Sequence, residues 1–437
     1  SDGMTEELIL ALDQVPGLRV VPRSSSFAFK GAQQDPRDIG RRLGVGAVLE
    51  GSVRQAGDRL RVIVHLVSAN EGFELWSEIY ERHLADVFLI QDEITRAIVG
   101  ALRLRVPGGP IRPQLTLPTR SLEAHNAYLK ARYHHGRLAA EDALRAVDFY
   151  QEAVRLDSTF ALAWAGLAGA YLERISGEEL RPGDIIPLAK AAVDRARTLD
   201  STLAGAHVSL GLIRFLYDRD WPAAEAEFQR AIALDPALPE AHHWYSHYLL
   251  AQGQVEQAAV ASRQALELSP FDRTMMVHLG WHHLHSREYD RAREPLQRAL
   301  ALDSTAADAR HLLALLAELT GDYQGAIAQL QTALRLTPQR LELQAALGRV
   351  YALAGQPDEA RRVLQELGDA AATRYVSPYL LALIMSALGD DRRAFAALEQ
   401  AVADRSESMV YLDLDPRMDP LRDDRRFARV RRQVGLP

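Results

Sequence analysis

The sequence contains no cysteine among its 437 residues. That absence excludes disulfides, thiolate catalysis and every cysteine-based metal centre, and it leaves the compartment undecided. Basic charge is also short: 51 Lys and Arg stand against 58 Asp and Glu, a formal net charge of -7. No basic face is on offer to a phosphate backbone, so nucleic-acid binding through this chain is not expected. No apolar run approaches a bilayer-spanning length and no signal-peptide pattern is present, so no membrane segment is expected in it. Catalytic motifs are missing as well. No Gly-x-Ser-x-Gly elbow occurs, the serines of "RSSSF" at 23–27 have no nearby His or Asp partner, and the glycines of "LGVGAVLEG" at 43–51 enter a strand instead of leaving one for a helix. Neither an enzyme nor a cofactor is expected.

What is present leans helical: 48% of residues are apolar, Ala, Leu and Arg are abundant, and the length suffices for two or more domains. The first hundred residues mix element types. "TEELILALDQV" has helical spacing through Leu8, Leu12 and Val15, and "GLRVVP" is a short strand candidate. "DPRDIGRRLGV" reads as a helix with Asp35 as N-cap, Pro36 at its first position and Gly44 as C-cap. Alternation through Val62, Val64 and Leu66, with turns at "AGD" and "NEG", predicts a three-strand meander. Val87, Ile90, Ile94 and Ile98 then mark a closing helix. The expected boundaries are an α+β domain over 1–106 and a Pro-rich linker over 107–118.

Beyond Thr119 the chain repeats itself. A small residue recurs at Ala146, Ala189, Ala224, Ala258, Ala292, Ala326, Ala360 and Ala394, the last five steps being 34 residues each. A large-small pair recurs in phase at Leu167-Ala168, Leu210-Gly211, Tyr245-Ser246, Leu279-Gly280, Leu313-Ala314, Leu347-Gly348 and Leu381-Ala382. Small residues let the two helices of a hairpin approach, and the large ones interlock between neighbours. Period and columns are those of the tetratricopeptide repeat, so an all-α superhelix of eight repeats is expected over 119–406. Residues 407–437 are too charged for a ninth repeat and are expected to cap the exposed end.

Several segments carry a resemblance: "SDGMTEELILAL", "PGLRVVPRSSSFAFKG", "IGRRLGVGAVLEGSVRQAGDRLRV", "LWSEIYER", "VFLIQDEI" and the tail "DPLRDDRRF". Together with the repeats, they resemble a bacterial family in which a TolB amino-terminal-like domain precedes tetratricopeptide repeats. The resemblance implies a regulatory region, of the kind found with adenylate or guanylate cyclases, serine/threonine kinases or winged-helix regulators upstream. Members of that family carry a first strand before the segment that opens this chain, so the chain is read as a piece of something longer or as a domain short of one strand. No upstream catalytic residue is carried over to any position here.

The remaining signal is histidine, concentrated in "EAHHWYSHYLLAQGQ" (240–254) and "HLGWHHLH" (278–285). By repeat position, the first-helix residues that resemble the concave, ligand-facing set include Leu212, Phe215, Glu240, His243, His247, Trp281, His285, Asp308, His311 and Arg349. An apolar trough lined with imidazole and indole, with Glu240, Asp308 and Arg349 at its rim, suits a protein or peptide segment. The expectation is a non-catalytic scaffold or sensor module in bacterial signal transduction, binding a partner in the groove of repeats three to six. Mild acid would then charge the inward histidines together and weaken an apolar ligand. His242, His282 and His283 fall on other faces and His278 at the margin. The alternative is a metal site centred on His243 and His247, four residues apart on one helix face, with His285, His311 or Asp308 as further ligands. A third reading is regulation in cis of a cyclase or kinase. Oligomeric state and partner identity are not legible.

Overall fold

A computed structural model describes residues 2–13, 15, 18–31, 34–83, 87–101, 119–135, 140–175 and 180–436. The expected linker at 107–118 and the first domain's expected end at 106 lie outside the described residues.

The amino-terminal unit is a three-stranded antiparallel sheet, β1 (Ala47–Ala56), β2 (Arg59–Ser68) and β3 (Glu74–His83), in the order β1-β2-β3. Alternation along β2 sends Leu60, Val62, Val64 and Leu66 to one buried face. Against that face pack Met4, Leu8 and Leu12 of the helix Asp2–Asp13 and Ile90, Ile94 and Ile98 of the helix Val87–Ala101. The helix Pro36–Leu43 starts and stops as its caps dictate: the Asp35 carboxylate accepts from Arg37 N, and Gly44 takes φ +65°. The expected strand at "GLRVVP" does not form. Leu18 and Val20 pack on the core edge, and the described backbone there joins no ladder before turning into the helix Arg23–Ser26.

Among the described residues from Leu122 to Ala403 the helices come in pairs. Repeats one to four are Leu122–His134 with Ala140–Leu156, Ala161–Glu173 with Pro182–Leu199, Ala204–Leu212 with Trp221–Leu234, and Pro239–Ala251 with Val255–Leu268. Repeats five to eight are Arg273–His285 with Tyr289–Leu302, Ala307–Leu319 with Tyr323–Leu336, Leu341–Leu353 with Pro357–Ala370, and Pro378–Ala387 with Asp391–Ala403. The small-residue column from Ala146 to Ala394 is buried throughout. The glycines of the large-small pairs show why: a Cβ on Gly280 would lie 2.6 Å from Leu296 Cγ and Cδ2, and one on Gly211 2.7 Å from the Phe228 ring. Gly280→Val is therefore expected to destabilise the fold by about 1–3 kcal/mol through overpacking, with partial recovery in Gly280→Val/Leu296→Ala. Urea midpoints equal to the parent's would refute this account of the column.

The amino-terminal domain docks on the solenoid through the "RSSSF" segment. Ser24 Oγ lies 2.6 Å from Ser269 Oγ, Ser25 Oγ accepts from Phe271 N at 3.1 Å, and Phe29 meets Phe271 edge to face at 5.4 Å. The buried Glu6 carboxylate pairs with Arg23 at 2.5 Å and with Arg132 of repeat one at 3.2 Å. Those serines lie at the contact between the amino-terminal unit and the repeats.

At the far end, Phe427 and Val430 of the helix Arg425–Val434 join Ala394, Phe395 and Leu398 of the last repeat in one apolar cluster. The superhelix also closes on itself. Trp221 Nε1 donates to Gly435 O at 2.7 Å, and an Arg405 guanidinium N–H donates to Tyr217 O at 2.7 Å. The C-terminal segment thereby reaches repeat three.

Candidate functional site

Leu212, Phe215, His247 and Trp281, from repeats three to five, lie together, and the chain's own segment from Glu407 to Leu421 packs against them. That segment forms two short 3-10 turns, Glu407–Tyr411 and Pro416–Leu421. Val410 and Tyr411 share one apolar cluster with Val208, Leu212, Phe215 and Tyr248. Phe215 sits in a π-helical turn, Ile213–Asp218, which ends the first helix of repeat three and turns its ring edge-on to Trp221, Tyr248 and Tyr411.

Next to Tyr411 is a nest of imidazoles. His243 and His247, one turn apart on the helix Pro239–Ala251, have ring centroids 4.8 Å apart, and His278 of repeat five lies 4.5 Å from His243 and 4.9 Å from His247. His247 Nε2 is 2.9 Å from His278 Nδ1, while its Nδ1 is 3.3 Å from the Tyr411 hydroxyl. The Trp281 indole lies 4.6 Å from the His247 ring and 5.0 Å from Tyr411, and it stacks on His285 at 3.8 Å. His285 Nδ1 donates to Trp281 O at 2.9 Å.

His282 differs from its sequence reading as an outer-face residue. It is 4% exposed, its ring is 4.7 Å from that of His247, and its Nε2 is 2.9 Å from Ser246 Oγ. The register explains the difference: the small Ser246 column brings the two first helices close enough for His282 to insert between them. Ser246 donates its own hydrogen to His243 O at 2.6 Å, so its oxygen must accept from His282 Nε2–H. That leaves His282 Nδ1 as a buried lone pair with no hydrogen-bond partner among the described residues.

Burial is the largest influence on these rings. It holds His243, His247 and His282 well below the ordinary histidine range, with neighbouring imidazoles adding to the effect, and it brings His278 and His285 down to about 4. Joint charging of the inward histidines in mild acid, near pH 6.5, is therefore not what this environment produces.

Further along the segment, Asp415 is 2% exposed. Burial alone would raise its carboxyl, but the Arg417 guanidinium, with help from His285 and the Tyr379 hydroxyl, holds it well below the usual carboxylate range. Arg417 donates through Nε and Nη2 at 2.9 and 2.7 Å, and Tyr379 through its hydroxyl at 2.5 Å. Arg287 then clasps Asp419 with two 2.8 Å bonds. Its backbone is left-handed at φ +62°, in the same turn column where Gly253, Gly321, Gly355 and Gly389 supply positive φ without a Cβ. An arginine in a glycine column is the sequence signal that could have exposed this contact.

The other candidates separate from the nest. Glu240 is exposed at the helix start. Asp308 pairs with Arg273 at 2.5 Å, and His311 lies buried 3.4 Å from Glu342. Arg349 is buried, not at a rim: its Nε bonds Glu318 Oε1 at 2.7 Å and its Nη1 donates to Leu383 O at 3.1 Å. Among the described residues, the group that could hold a metal ion is His243, His247 and His278, with one ligand atom from each within 4.8 Å of the others. None of the further ligands expected from sequence (His285, His311, Asp308) belongs to it.

Fold and repeat geometry define the class: a tetratricopeptide-repeat solenoid preceded by a small α+β domain. Family models described as "Tetratricopeptide repeat" match residues 246–309 and 317–384. Among curated relatives, "Putative adenylate cyclase 3" of Rhizobium meliloti (strain 1021) is 38% identical over 168 residues, 38% of this chain and 29% of that protein. "Cellulose synthase operon protein C" of Xanthomonas axonopodis pv. citri (strain 306) is 27% identical over 339 residues, 70% of this chain and 22% of that protein. The chain thus spans less than a third of the length of either. Among solved structures, the human IFIT1 dimer with PPP-AAAA superposes with a TM-score of 0.50 at 14% identity, covering 73% of this chain and 79% of that one. That likeness concerns the fold alone.

Proposed function

We propose that the chain is a non-catalytic protein-interaction scaffold of bacterial signal transduction whose inner face, over repeats three to six, takes a partner segment. One observation carries this reading: that face already holds a peptide-like stretch, Glu407–Leu421, by an aromatic anchor at Tyr411, a buried Asp415–Arg417 pair and the Arg287–Asp419 clasp. Aromatic and arginine anchors in desolvated pockets are what partner recognition uses. The resident segment covers Leu212, Phe215, His247 and Trp281, so a partner segment competes with it or binds where it has let go.

The test uses a fluorescent synthetic peptide spanning residues 405–423. The full chain is expected to bind it weakly, because its own segment occupies the face. A Tyr411→Ala/Asp419→Ala variant, with unchanged helical circular dichroism, is expected to bind one peptide at least about tenfold more tightly. Equal affinities, or no binding to either, would remove the inner face as a peptide site.

A second reading is regulation in cis of a cyclase polypeptide, with the amino-terminal domain of TolB-like type. It is supported by the 38% identity to a protein named putative adenylate cyclase. A cyclase-coding stretch upstream of Ser1 in the gene is its expected result, and a gene without one would end it.

A further inference from the structure

We propose that His243, His247 and His278 form a binding site for a divalent transition-metal ion of the zinc, nickel or copper class, placed directly behind Tyr411. Imidazole is the ligand these ions share, and three histidines are a sufficient protein set for one of them. Their ligand atoms already lie within 4.8 Å of one another. A tetrahedral ion with bonds of about 2.0–2.1 Å places its ligands roughly 3.3 Å apart. Small ring rotations suffice to reach that geometry, opening the 2.9 Å His247–His278 contact and drawing His243 inward.

A second observation points the same way. His282 Nδ1 is a buried lone pair with no hydrogen-bond partner among the described residues, on a ring 4.7 Å from that of His247. The imidazole keeps its Nε2–H bond to Ser246 while its other nitrogen is held in the interior with no partner among the described residues. That nitrogen lies outside the trio of candidate ligands, so it bears on the site as a neighbouring polar group, not as a ligand.

The site has an entry side and an outer shell. His278 is the half-buried member of the trio, so an ion arrives from that face. With His247 bound through Nε2, its Nδ1–H points at the Tyr411 hydroxyl, the outer-sphere contact that orients a metal-bound imidazole. Metal occupancy would thereby brace Tyr411, and with it the C-terminal segment. The site stands whether or not the inner face takes a partner segment.

The experiment is zinc titration of the full, chelator-treated chain by calorimetry, with elemental analysis after dialysis, alongside His243→Gln, His278→Gln and the control His283→Gln. The expected result is one zinc per chain, at least about tenfold weaker binding in the two site variants, and unchanged binding in the control. Zinc should also raise the thermal midpoint of the parent and of His283→Gln, but not of His278→Gln. Because a buried variant can misfold, the cobalt(II) visible spectrum of the unmutated chain is read as well, where the bands of a four-coordinate site of three imidazoles and a water are expected. No stoichiometric binding, binding unaltered by the site variants, or a six-coordinate cobalt spectrum would each overturn the proposal.

Discussion

Glu318→Leu is expected to destabilise the protein by about 3–5 kcal/mol, because it strands the Arg349 guanidinium in the interior. Both side chains are about 5% exposed, Arg349 Nε is 2.7 Å from Glu318 Oε1, and the other donor that holds the guanidinium is spent on Leu383 O. The reverse variant, Arg349→Leu, should cost less. A stranded carboxylate can neutralise itself by taking a proton, whereas a stranded guanidinium cannot. Replacing both partners, Glu318→Leu/Arg349→Met, should recover most of the loss, since a buried pair often contributes little beyond apolar residues of similar volume. Urea denaturation of the four proteins measures the cycle, and a double variant as unstable as Glu318→Leu would mean that the pair contributes more than mutual compensation. Arg349 was a candidate for orienting a partner; its geometry assigns it to joining repeats six, seven and eight.

Acid is expected to destabilise the protein earlier than carboxylate titration alone would. Burial lowers His125 and His285 to about 4 from an ordinary 6.5, so between those values the unfolded chain binds more protons than the folded one. Stability from these groups is complete above about pH 6.5 and is lost as pH falls toward 4. By pH 5 each contributes a loss of about 2 kcal/mol. The Asp415 carboxylate facing His285 opposes this shift and Arg417 adds to it, while Asp415 itself stays ionised until far lower pH. His243, His247 and His282 add in the same direction, faced by His278, His285 and one another. The urea midpoint should hold between pH 8 and 7, fall steeply from 6.5 to 5, and fall less in His285→Gln. Equal midpoints at pH 8 and pH 5 would show that these rings are not held neutral by burial.

Much of this fold is legible in the sequence. The 34-residue columns at Ala258, Ala292, Ala326, Ala360 and Ala394 name the helix hairpins because close packing tolerates only a small side chain there. The Asp35-Pro36 start and the Gly44 stop of one short helix follow from local backbone chemistry. Of the residues expected to face inward, His243, His247 and Trp281 lie together, whereas Glu240, Asp308, His311 and Arg349 stand apart from them. The companions of the first three are not legible. His278 and His282 looked peripheral from helix phase alone, because phase says which way a side chain leaves its own helix and nothing about how deeply the next helix reaches.

Sequence by itself determined the repeat, its phase and the local caps, because these depend on residues a few turns apart in one chain direction. Only the tertiary structure decided what fills the inner face. His247 meets Tyr411 across 164 positions, Arg287 meets Asp419 across 132, and Trp221 meets Gly435 across 214. Those contacts follow from the small rotation between successive repeats, which accumulates until repeat eight and the C-terminal segment return to repeats three to five. No single repeat encodes that sum, so a segment that reads as an end cap also lies on the inner face beside a nest of histidines.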